Sequence, residues 1–408
     1  MAAQAIPKAD GPAIALVNGR VVLPDRIVTG TAVVVEGRRI AGLVAPDELP
    51  EGVVRLDAGG RYIVPGLVDI HIHGAVGHSF NEPAPEAIRA ITEENARRGT
   101  TSLLATIAAA PLLDMLACLE ACRAWCKAPH PGAEVLGVHL EGPYFSPAQR
   151  GAQDLASLRT PDDGSADELL AYSDVIRMMS YAPELPGALE LTRRLAGLGI
   201  VPAAGHSAAR DTEVYAAMEA GLRHAIHLWS GQSTTIREGP WRRPGLLEAA
   251  LVSDGLTAEI IADGRHLPPT LMKLAYRCKG PDRLCLVSDA IAGAGLPDGS
   301  RFRLATNEYE VRDGVGMLPD RSAFAGSVTF LSRMVALLVE MLEVPLVQAV
   351  RMASLTPARI IGVADRKGSL EPGKDADLLV LEADLTPWRV MVRGEWVEAK
   401  ASASSPAG

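Results

Sequence analysis

The sequence has no excess of positive charge, no long run of apolar side chains and no paired-cysteine motif. Its 408 residues carry a formal net charge of -9 and contain no Lys/Arg-rich segment, which argues against nucleic acid or an anionic membrane as the main partner. Glu340 interrupts the apolar stretch at residues 335–342 too early for it to span a bilayer, and no secretory leader pattern is visible at the start. We therefore expect a soluble, cytoplasmic protein with no nucleic acid and no membrane partner.

Cysteine is scarce as well, with five residues and no C-x-x-C pair. Cys118, Cys122 and Cys126 recur every fourth residue and would lie on one face of a helix. This spacing would allow a metal cluster, but small buried thiols on the apolar side of a helix are the simpler interpretation. Reduced thiols agree with a cytoplasmic protein.

The middle of the chain alternates short apolar runs with amphipathic segments, a pattern typical of parallel strands connected by helices. Helices are predicted at residues 85–98, 112–127, 187–198 and 211–220. Eight strand candidates within about 300 residues favour a TIM (β/α)8 barrel over a doubly wound sheet. The predicted strands are residues 67–72, 102–107, 135–140, 176–181, 201–205, 225–228, 258–262 and 284–287.

Both ends of the chain contain short β-branched runs separated by turns, such as residues 31–36 and 388–392. Asn18-Gly19 is a hairpin signal, so the first strands are expected to form an antiparallel unit. We infer that residues 1–63 and 365–408 together form one small β-domain and that residues 64–364 form the barrel. The predicted fold class is α/β, a TIM barrel with a small β-sandwich domain built from both chain termini.

Imidazoles and carboxylates occur where the predicted barrel strands end. His71 and His73 stand two residues apart at the end of the first strand, so both rings point to the same side. A TIM barrel collects its functional residues at the C-terminal ends of its strands, so these side chains are expected to converge on a metal ion. The other residues placed in this way are Glu141, His206, His227, His266 and Asp289.

The candidate ligands comprise imidazoles and a carboxylate without a thiolate. This set suits Zn²⁺, with Fe²⁺ or Mn²⁺ as alternatives, in a site that keeps an open position for water. Asp289 follows the last strand and is placed to act as the general base for that water. A single His at a strand end is more often a structural residue, so the prediction depends on the whole set.

Several motifs resemble those of the amidohydrolase superfamily. One is Pro65-Gly-Leu-Val-Asp-Ile-His-Ile-His-Gly74, and another is Asp289 after the last strand. Within the superfamily the chain is similar to the N-acetylglucosamine-6-phosphate deacetylase family, chiefly through His139-Leu-Glu-Gly-Pro, because that family uses a Glu where most related hydrolases use a carbamoylated Lys. The matching segments are residues 138–153, 204–207, 227–229, 260–266 and 286–290.

The resemblance implies a site with one or two divalent metal ions per subunit. Glu141, His206 and His227 would hold the main ion, and His71 with His73 would hold a second, since some family members replace that pair and use one ion. Two further histidines are interpreted as structural residues. His139 would support the metal ligands, and His224 would pack in the barrel.

The resemblance also implies how an amino-sugar phosphate would be bound and cleaved. Asp289 would activate water and then protonate the departing amine. The family arginine that binds the sugar phosphate often does so across a dimer interface, which implies a homodimer. The implied substrate-binding residues are Ala152, Gln153, Ser230, Gly231, Arg242, His266, Ala325 and Gly326.

The loop at residues 230–243 departs from the family. An Asn-Ala pair is replaced by Ser230-Gly231, and Arg237 and Arg243 compete with Arg242 for the position of the phosphate-binding arginine. The first hypothesis is therefore deacetylation of N-acetylglucosamine 6-phosphate, and the alternative is an amidohydrolase acting on a different N-acyl or cyclic amide. A non-catalytic binding barrel is disfavoured because every predicted ligand and the base are present.

Overall fold

A computed structural model of the protein describes residues 12–304, 307–318, 321 and 323–397. Residues 1–11 and 398–408 of the predicted terminal domain lie outside the described residues. Within the described ranges, none of the helices combines the length and apolar composition that a bilayer span requires.

The chain begins with short strands that divide between two sheets. The first strand pairs antiparallel with the fourth but parallel with the sixth, and the second pairs parallel with the seventh. The hairpin predicted at Asn18-Gly19 is therefore wrong: the turn, with Asn18 at φ 57°, carries the chain from one sheet to the other. The predicted antiparallel unit is confirmed in part, because the first strand with the fourth, the fourth with the fifth and the second with the third pair antiparallel. These strands are Ile14–Val17 (β1), Arg20–Val22 (β2), Ile27–Val28 (β3), Ala32–Glu36 (β4), Arg39–Val44 (β5), Val54–Asp57 (β6) and Tyr62–Pro65 (β7).

The following elements alternate as the hydrophobic pattern predicts. In chain order they are Leu67–Ile72 (β8), Gly74–Ala75 (β9), His78–Ser79 (β10), Pro85–Arg97 (α1), Thr100–Ala108 (β11), Leu112–Trp125 (α2), Glu134–Glu141 (β12), the 3₁₀ turns Pro147–Gln149 and Leu155–Ser157, Ser165–Leu170 (α3), Ile176–Tyr181 (β13), Ala188–Gly197 (α4), Val201–Ala204 (β14), Asp211–Ala220 (α5), His224–Ala225 (β15), Ile236–Glu238 (β16), Trp241–Arg243 (β17), Leu246–Val252 (α6), Thr257–Ile260 (β18), Pro269–Lys279 (α7) and Leu284–Leu286 (β19).

Eight of these strands form one parallel sheet in the order β8-β11-β12-β13-β14-β15-β18-β19. The sheet closes on itself after β19, because the Asp289 N–H donates to the His71 carbonyl (N···O 2.9 Å) and the His73 N–H donates to the Ala290 carbonyl (N···O 2.8 Å). The buried faces of the strands and helices make one large apolar cluster. The predicted TIM barrel is confirmed, with strand ends that differ from prediction by only a few residues.

A small antiparallel sheet that the sequence pattern did not predict follows β19. Its strands lie over the C-terminal end of the barrel, and Ser327 bonds back to Asp289 and Ile291. The remaining elements are Arg301–Leu304 (β20), Asn307–Arg312 (β21), Val315–Met317 (β22), Phe324–Ser327 (β23), Leu331–Leu342 (α8), Leu346–Met352 (α9), Leu355–Ile360 (α10), Leu378–Leu381 (β24), Pro387–Val392 (β25) and Glu395–Trp396 (β26).

Strands from both chain ends share one sheet, in the order β26-β25-β24-β7-β2-β3. It packs against the sheet β5-β4-β1-β6 through a second apolar cluster that includes Leu16, Val33, Ile63, Leu378 and Met391. The β-sandwich formed from both termini is thereby confirmed. The exact boundaries at residues 63/64 and 364/365 stay a prediction.

A buried ion network joins the barrel to this sandwich. Lys367 has a side chain that is 1% exposed, and its Nζ lies 2.7 Å from a carboxylate oxygen of Glu134, 2.9 Å from Asp375 and 2.6 Å from Asp377. Burial alone would raise the pKa of Glu134, but hydrogen bonds and charge from Arg366 and Lys367 outweigh it and lower the pKa to about 2. Glu134 is therefore ionised at neutral pH, whereas burial raises the pKa of Asp377 against the opposing charge of Lys367.

Replacing Lys367 with Met should destabilise the fold, because it removes the cation shared by the buried carboxylates of Asp375 and Asp377 and the half-buried carboxylate of Glu134. Breaking a buried ion pair on one side typically costs about 3–5 kcal/mol. Urea unfolding would measure the loss, with Lys273→Met on the exposed face of α7 as the control. An equal free energy of unfolding for the two variants would contradict a stabilising role for the network.

Candidate active site

A cavity of about 220 Å³ opens at the C-terminal ends of the barrel strands. Cavities for drug-sized ligands typically measure about 300–1,000 Å³, so this one suits a small molecule. Its lining includes most of the residues that the sequence placed at strand ends, namely His73, Glu141, His206, His227, His266 and Asp289. His71 lies directly beneath them, fully buried.

Glu141, at the end of β12, is the centre of the cluster. Its Oε1 lies 3.1 Å from Nε2 of His206 and 3.1 Å from Nε2 of His227. The same Oε1 lies 3.6 Å from Nε2 of His71, and Oε2 lies 3.4 Å from Nε2 of His73. The structure thus brings together two groups able to hold a metal, Glu141 with His206 and His227 and Glu141 with His71 and His73, and one carboxylate belongs to both.

The protonation states suit metal binding. Burial raises the pKa of Glu141, but hydrogen bonds from His206, His227 and His71 outweigh it, so the pKa lies well below its usual range. Burial is the main cause that lowers the pKa of His227, which favours the neutral imidazole that a metal needs. Nε2 of His71 is buried, faces the cluster and has no hydrogen-bond partner within the described ranges. Ionised carboxylate and inward-facing imidazole nitrogens fit a divalent metal ion.

Asp289 lies beside both groups. Its Oδ1 is 3.3 Å from Nε2 of His73 and 3.7 Å from Nε2 of His71. Burial raises its pKa, but the hydrogen bond from His73 and the nearby imidazoles outweigh it and the pKa falls below the usual value. The carboxylate is therefore ionised at neutral pH and able to accept a proton.

The backbone turns sharply where two of these residues leave their strands. Asp289 and His206 both have φ 45°, a conformation uncommon for residues other than glycine and concentrated at functional sites. Nδ1 of His206 bonds the Gln149 carbonyl (2.9 Å). A Cβ on Gly231 would lie 2.4 Å from that Nδ1, so only glycine lets the loop approach the ring this closely.

Gln153 reaches the cluster with its side chain. Its Nε2 donates to Oε2 of Glu141 (2.6 Å), and its Oε1 accepts from the Ala109 N–H (3.2 Å). The neighbouring Ala152 carbonyl accepts from the hydroxyl of Tyr309 (3.1 Å). The amide of Gln153 therefore contacts the oxygen that also faces His73.

The cavity lining holds most of the remaining predicted substrate residues. Nδ1 of His266 bonds Oδ2 of Asp263 (2.7 Å), which raises the pKa of His266 against the lowering effect of burial. The segment Ala325-Gly326, expected as a turn, belongs to strand β23 instead, because it pairs with β22. The predicted residues in the lining are Ala152, Gln153, Ser230, Gly231, His266, Ala325 and Gly326.

Arg242 does not reach the cavity of its own chain. It lies with Arg237 and Arg243 on the exposed hairpin β16–β17, whose tip carries Trp241 at 68% exposure. Among the described residues, the cavity lining contains no Lys or Arg. The hairpin part of the loop, residues 236–243, therefore projects into solvent, and the role of its arginines stays a prediction.

Sequence reasoning missed three residues around the site. Tyr309 and Phe324 belong to the unpredicted β20–β23 sheet and line the cavity. Glu259 is fully buried in β18 and bonds Nδ1 of His71 (2.9 Å). The sequence signal for Glu259 was a charged residue within the otherwise apolar run 258–262. His139 bonds Ser180 (Nε2···Oγ 2.9 Å) and its ring centroid lies 4.6 Å from that of His71.

Comparison with known proteins agrees with this geometry. Residues 62–397 match the amidohydrolase family. The chain is 35% identical to N-acetylgalactosamine-6-phosphate deacetylase of Escherichia coli O157:H7, over 88% of this chain and 93% of that protein. It is 33% identical to N-acetylglucosamine-6-phosphate deacetylase of Vibrio furnissii, over 87% and 88%.

Comparison of the fold with solved structures gives the same result. The crystal structure of N-acetylglucosamine-6-phosphate deacetylase from Pasteurella multocida superposes with a TM-score of 0.89 at 30% identity, covering 95% of this chain and 100% of that one. The resemblance seen in the sequence motifs is confirmed. The chain belongs to the amidohydrolase family of metal-dependent enzymes and, within it, to the N-acetylglucosamine-6-phosphate deacetylase group.

Proposed function

We propose that the protein hydrolyses the acetamide of an N-acetylated amino-sugar 6-phosphate, with N-acetylglucosamine 6-phosphate giving glucosamine 6-phosphate and acetate. The observation that carries the proposal is the Glu141 carboxylate shared by two imidazole groups, with Asp289 beside them in a small cavity. The names of the similar proteins support this substrate class.

Glu141, His206 and His227 are the residues proposed to hold the main ion, and Glu141 with His71 and His73 those proposed to hold a second. Zn²⁺ suits imidazole and carboxylate ligands, with Fe²⁺ and Mn²⁺ as the alternatives. When bound, such a metal polarises the amide carbonyl and lowers the pKa of water.

Asp289 is proposed to move the protons. Its ionised carboxylate accepts a proton from the attacking water as the water oxygen bonds the acetamide carbon. The same carboxyl group then gives that proton to the sugar nitrogen as the C–N bond breaks, so that acetate and the amino sugar leave. Ala152, Gln153, Ser230 and His266 are placed to hold the sugar.

The cavity lining of one described chain contains no Lys or Arg that could bind the phosphate. The hairpin β16–β17 offers three exposed arginines next to the exposed Trp241. We infer a homodimer in which this hairpin brings Arg242, or its neighbour Arg237 or Arg243, to the partner's cavity. Analytical ultracentrifugation that finds only a monomer at assay concentration would contradict this arrangement.

Location in the cytoplasm is part of the same proposal. All five cysteines are free, and three of them are buried. Burial raises the pKa of Cys118 to about 12, so this thiol is held in its unreactive protonated form. Free thiols are typical of a reducing compartment.

A second candidate is cleavage of a different N-acyl or cyclic amide. The departure of residues 230–243 from the family pattern favours it, because that loop is expected to recognise the sugar and its phosphate. The metal ligands and Asp289 would serve either reaction, so the substrate must decide between them.

A substrate panel tests the proposal. We expect kcat/KM for N-acetylglucosamine 6-phosphate, or for its galactosamine epimer, to exceed that for unphosphorylated N-acetylglucosamine about 10- to 100-fold, since a hydrogen bond to a charged group contributes about 1.5–3 kcal/mol. Acetate release would be followed with each sugar. Equal and weak rates on all of them, with faster cleavage of a cyclic amide or another N-acyl compound, would favour the second candidate.

A further inference from the structure

Three hydrogen-bond donors converge on the carboxylate of Glu259, which lies in β18 and is fully buried. Oε2 lies 2.9 Å from Nδ1 of His71 and accepts from the His227 backbone N–H at 3.1 Å. Oε1 lies 2.9 Å from Nε2 of His224. The other ring nitrogen of His224, Nδ1, lies 2.7 Å from Oγ1 of Thr257, so this ring is held at both nitrogens.

Burying a carboxylate such as that of Glu259 in the core of a barrel is energetically unfavourable. Transfer of a carboxylate from water to an apolar interior is strongly unfavourable unless the charge is fully hydrogen-bonded. An apolar side chain of similar volume would fill the same space without that cost. Glu259 is not among the cavity-lining residues, so direct contact with a substrate does not account for it.

One oxygen of Glu259, Oε2, contacts a residue of each candidate metal group. Oε2 contacts the ring of His71, which belongs to one group, and the backbone of His227, which belongs to the other. His224 occupies Oε1 and thereby fixes the rotation of the carboxylate. One buried side chain thus sets the position of a ligand in each group.

Which ring nitrogen of His71 carries the proton decides whether the other nitrogen can bind a metal ion. A carboxylate can only accept, so the Nδ1 of His71 that faces it carries the proton. In the neutral ring, which is the form that binds a metal ion, Nε2 is then left with its lone pair, and it lies 3.6 Å from Oε1 of Glu141 and 3.7 Å from Oδ1 of Asp289. In the opposite tautomer Nε2 would carry the proton and could not bind a metal ion.

We infer that Glu259 is a positioning residue that holds His71 in the tautomer able to bind the second metal ion, with His224 fixing the carboxylate that does so. The inference rests on the proposed use of His71 and His73 as metal ligands. Hydrogen-bond partners of metal-binding histidines typically contribute about 10- to 100-fold to metal affinity.

Titration of the metal-free full-length protein with Zn²⁺ alone tests the inference without any substrate. The wild type is expected to bind two ions, and Glu259→Leu to bind the second about 10- to 100-fold more weakly. Glu259→Gln keeps one oxygen that can accept from Nδ1 of His71, so it should retain more of that affinity than the Leu variant. Glu134→Gln, which removes a half-buried carboxylate at the start of strand β12, should bind both ions as the wild type does.

A double-mutant comparison separates positioning from a general loss of structure. In a His71→Ala background, Glu259→Leu should have no further effect on the affinity for the second Zn²⁺ ion, because the ring through which it acts on that site is gone. Wild-type affinity for both ions in Glu259→Leu would overturn the inference. A wild-type protein that binds only one ion would overturn it as well.

Should the Leu variant fail to fold, the wild type itself supplies a test. ¹⁵N NMR of the imidazoles in the Zn²⁺-loaded wild type, with His71 assigned by substitution, is expected to show a protonated Nδ1 and an unprotonated Nε2 in His71. The opposite tautomer would overturn the inference. These measurements report metal binding and protonation, so they remain informative even if the protein cleaves another amide.

Discussion

Replacing Asp289 with Asn should lower kcat about 10²- to 10⁴-fold while the protein keeps its metal, the range typical of a lost general acid–base group. Asn has nearly the same size and can still donate or accept a hydrogen bond near His73, but it cannot take a proton from water. In the wild type the carboxylate is ionised and lies 3.3 Å from Nε2 of His73. Steady-state rates and elemental analysis should be measured on the same preparation.

A matched control is Asp162→Asn, which makes the same chemical change at an exposed position. Its activity should equal that of the wild type. A metal-loaded Asp289→Asn protein with near-normal kcat would remove Asp289 from the proposed mechanism.

Replacing Glu141 with Ala should leave a protein that is poor in metal and inactive. Glu141 is common to both candidate metal groups, so its loss removes the negatively charged ligand from each. The four imidazoles that remain would bind a divalent cation without any charge compensation from that position. Of the single-residue changes considered, this one is expected to have the largest effect on metal content.

Substitution of other proposed ligands gives a comparison for the metal content of Glu141→Ala. A double His71→Ala, His73→Ala change should leave one ion bound, since Glu141, His206 and His227 remain. Elemental analysis would compare the two proteins with the wild type. Full metal content in Glu141→Ala would contradict the shared-ligand arrangement.

Much of the barrel could be predicted because the hydrophobic pattern of each strand and helix lies within a short segment of the chain. Apolar runs flanked by turns identified all eight strands, and the rule that barrel strands end at the active site grouped His71, Glu141 and Asp289 before any distance was known. The closed sheet places those strand ends around one cavity. Periodicity and topology therefore carried most of the information about the site.

The features that the sequence did not predict depend on contacts between segments that are distant in the chain. The apolar run 258–262 shows that a charge at Glu259 is unusual, but the role of that charge depends on His71 and His224 on other strands. The parallel pairing of β1 with β6 likewise overrode the hairpin signal at Asn18-Gly19. Such pairings follow from tertiary packing, which single-sequence patterns do not contain.

The sheet β20–β23 was missed for a related reason. Its strands are short and rich in charge, and its burial comes from packing over the barrel mouth, with Phe302, Tyr309 and Val311 in a separate small cluster. The position of Phe324 beside His266, at a ring-centroid distance of 5.1 Å, follows from that packing.

The central claim is metal-dependent removal of an acetyl group from an amino-sugar phosphate at the site around Glu141. The most direct measurement is the amount of acetate and of free amine formed from N-acetylglucosamine 6-phosphate by the protein before chelation, after chelation and after Zn²⁺ is restored. We predict equal amounts of the two products, loss of both on chelation and recovery with Zn²⁺. Product formation that is unchanged in the metal-free protein, or no product under any condition, would contradict the account.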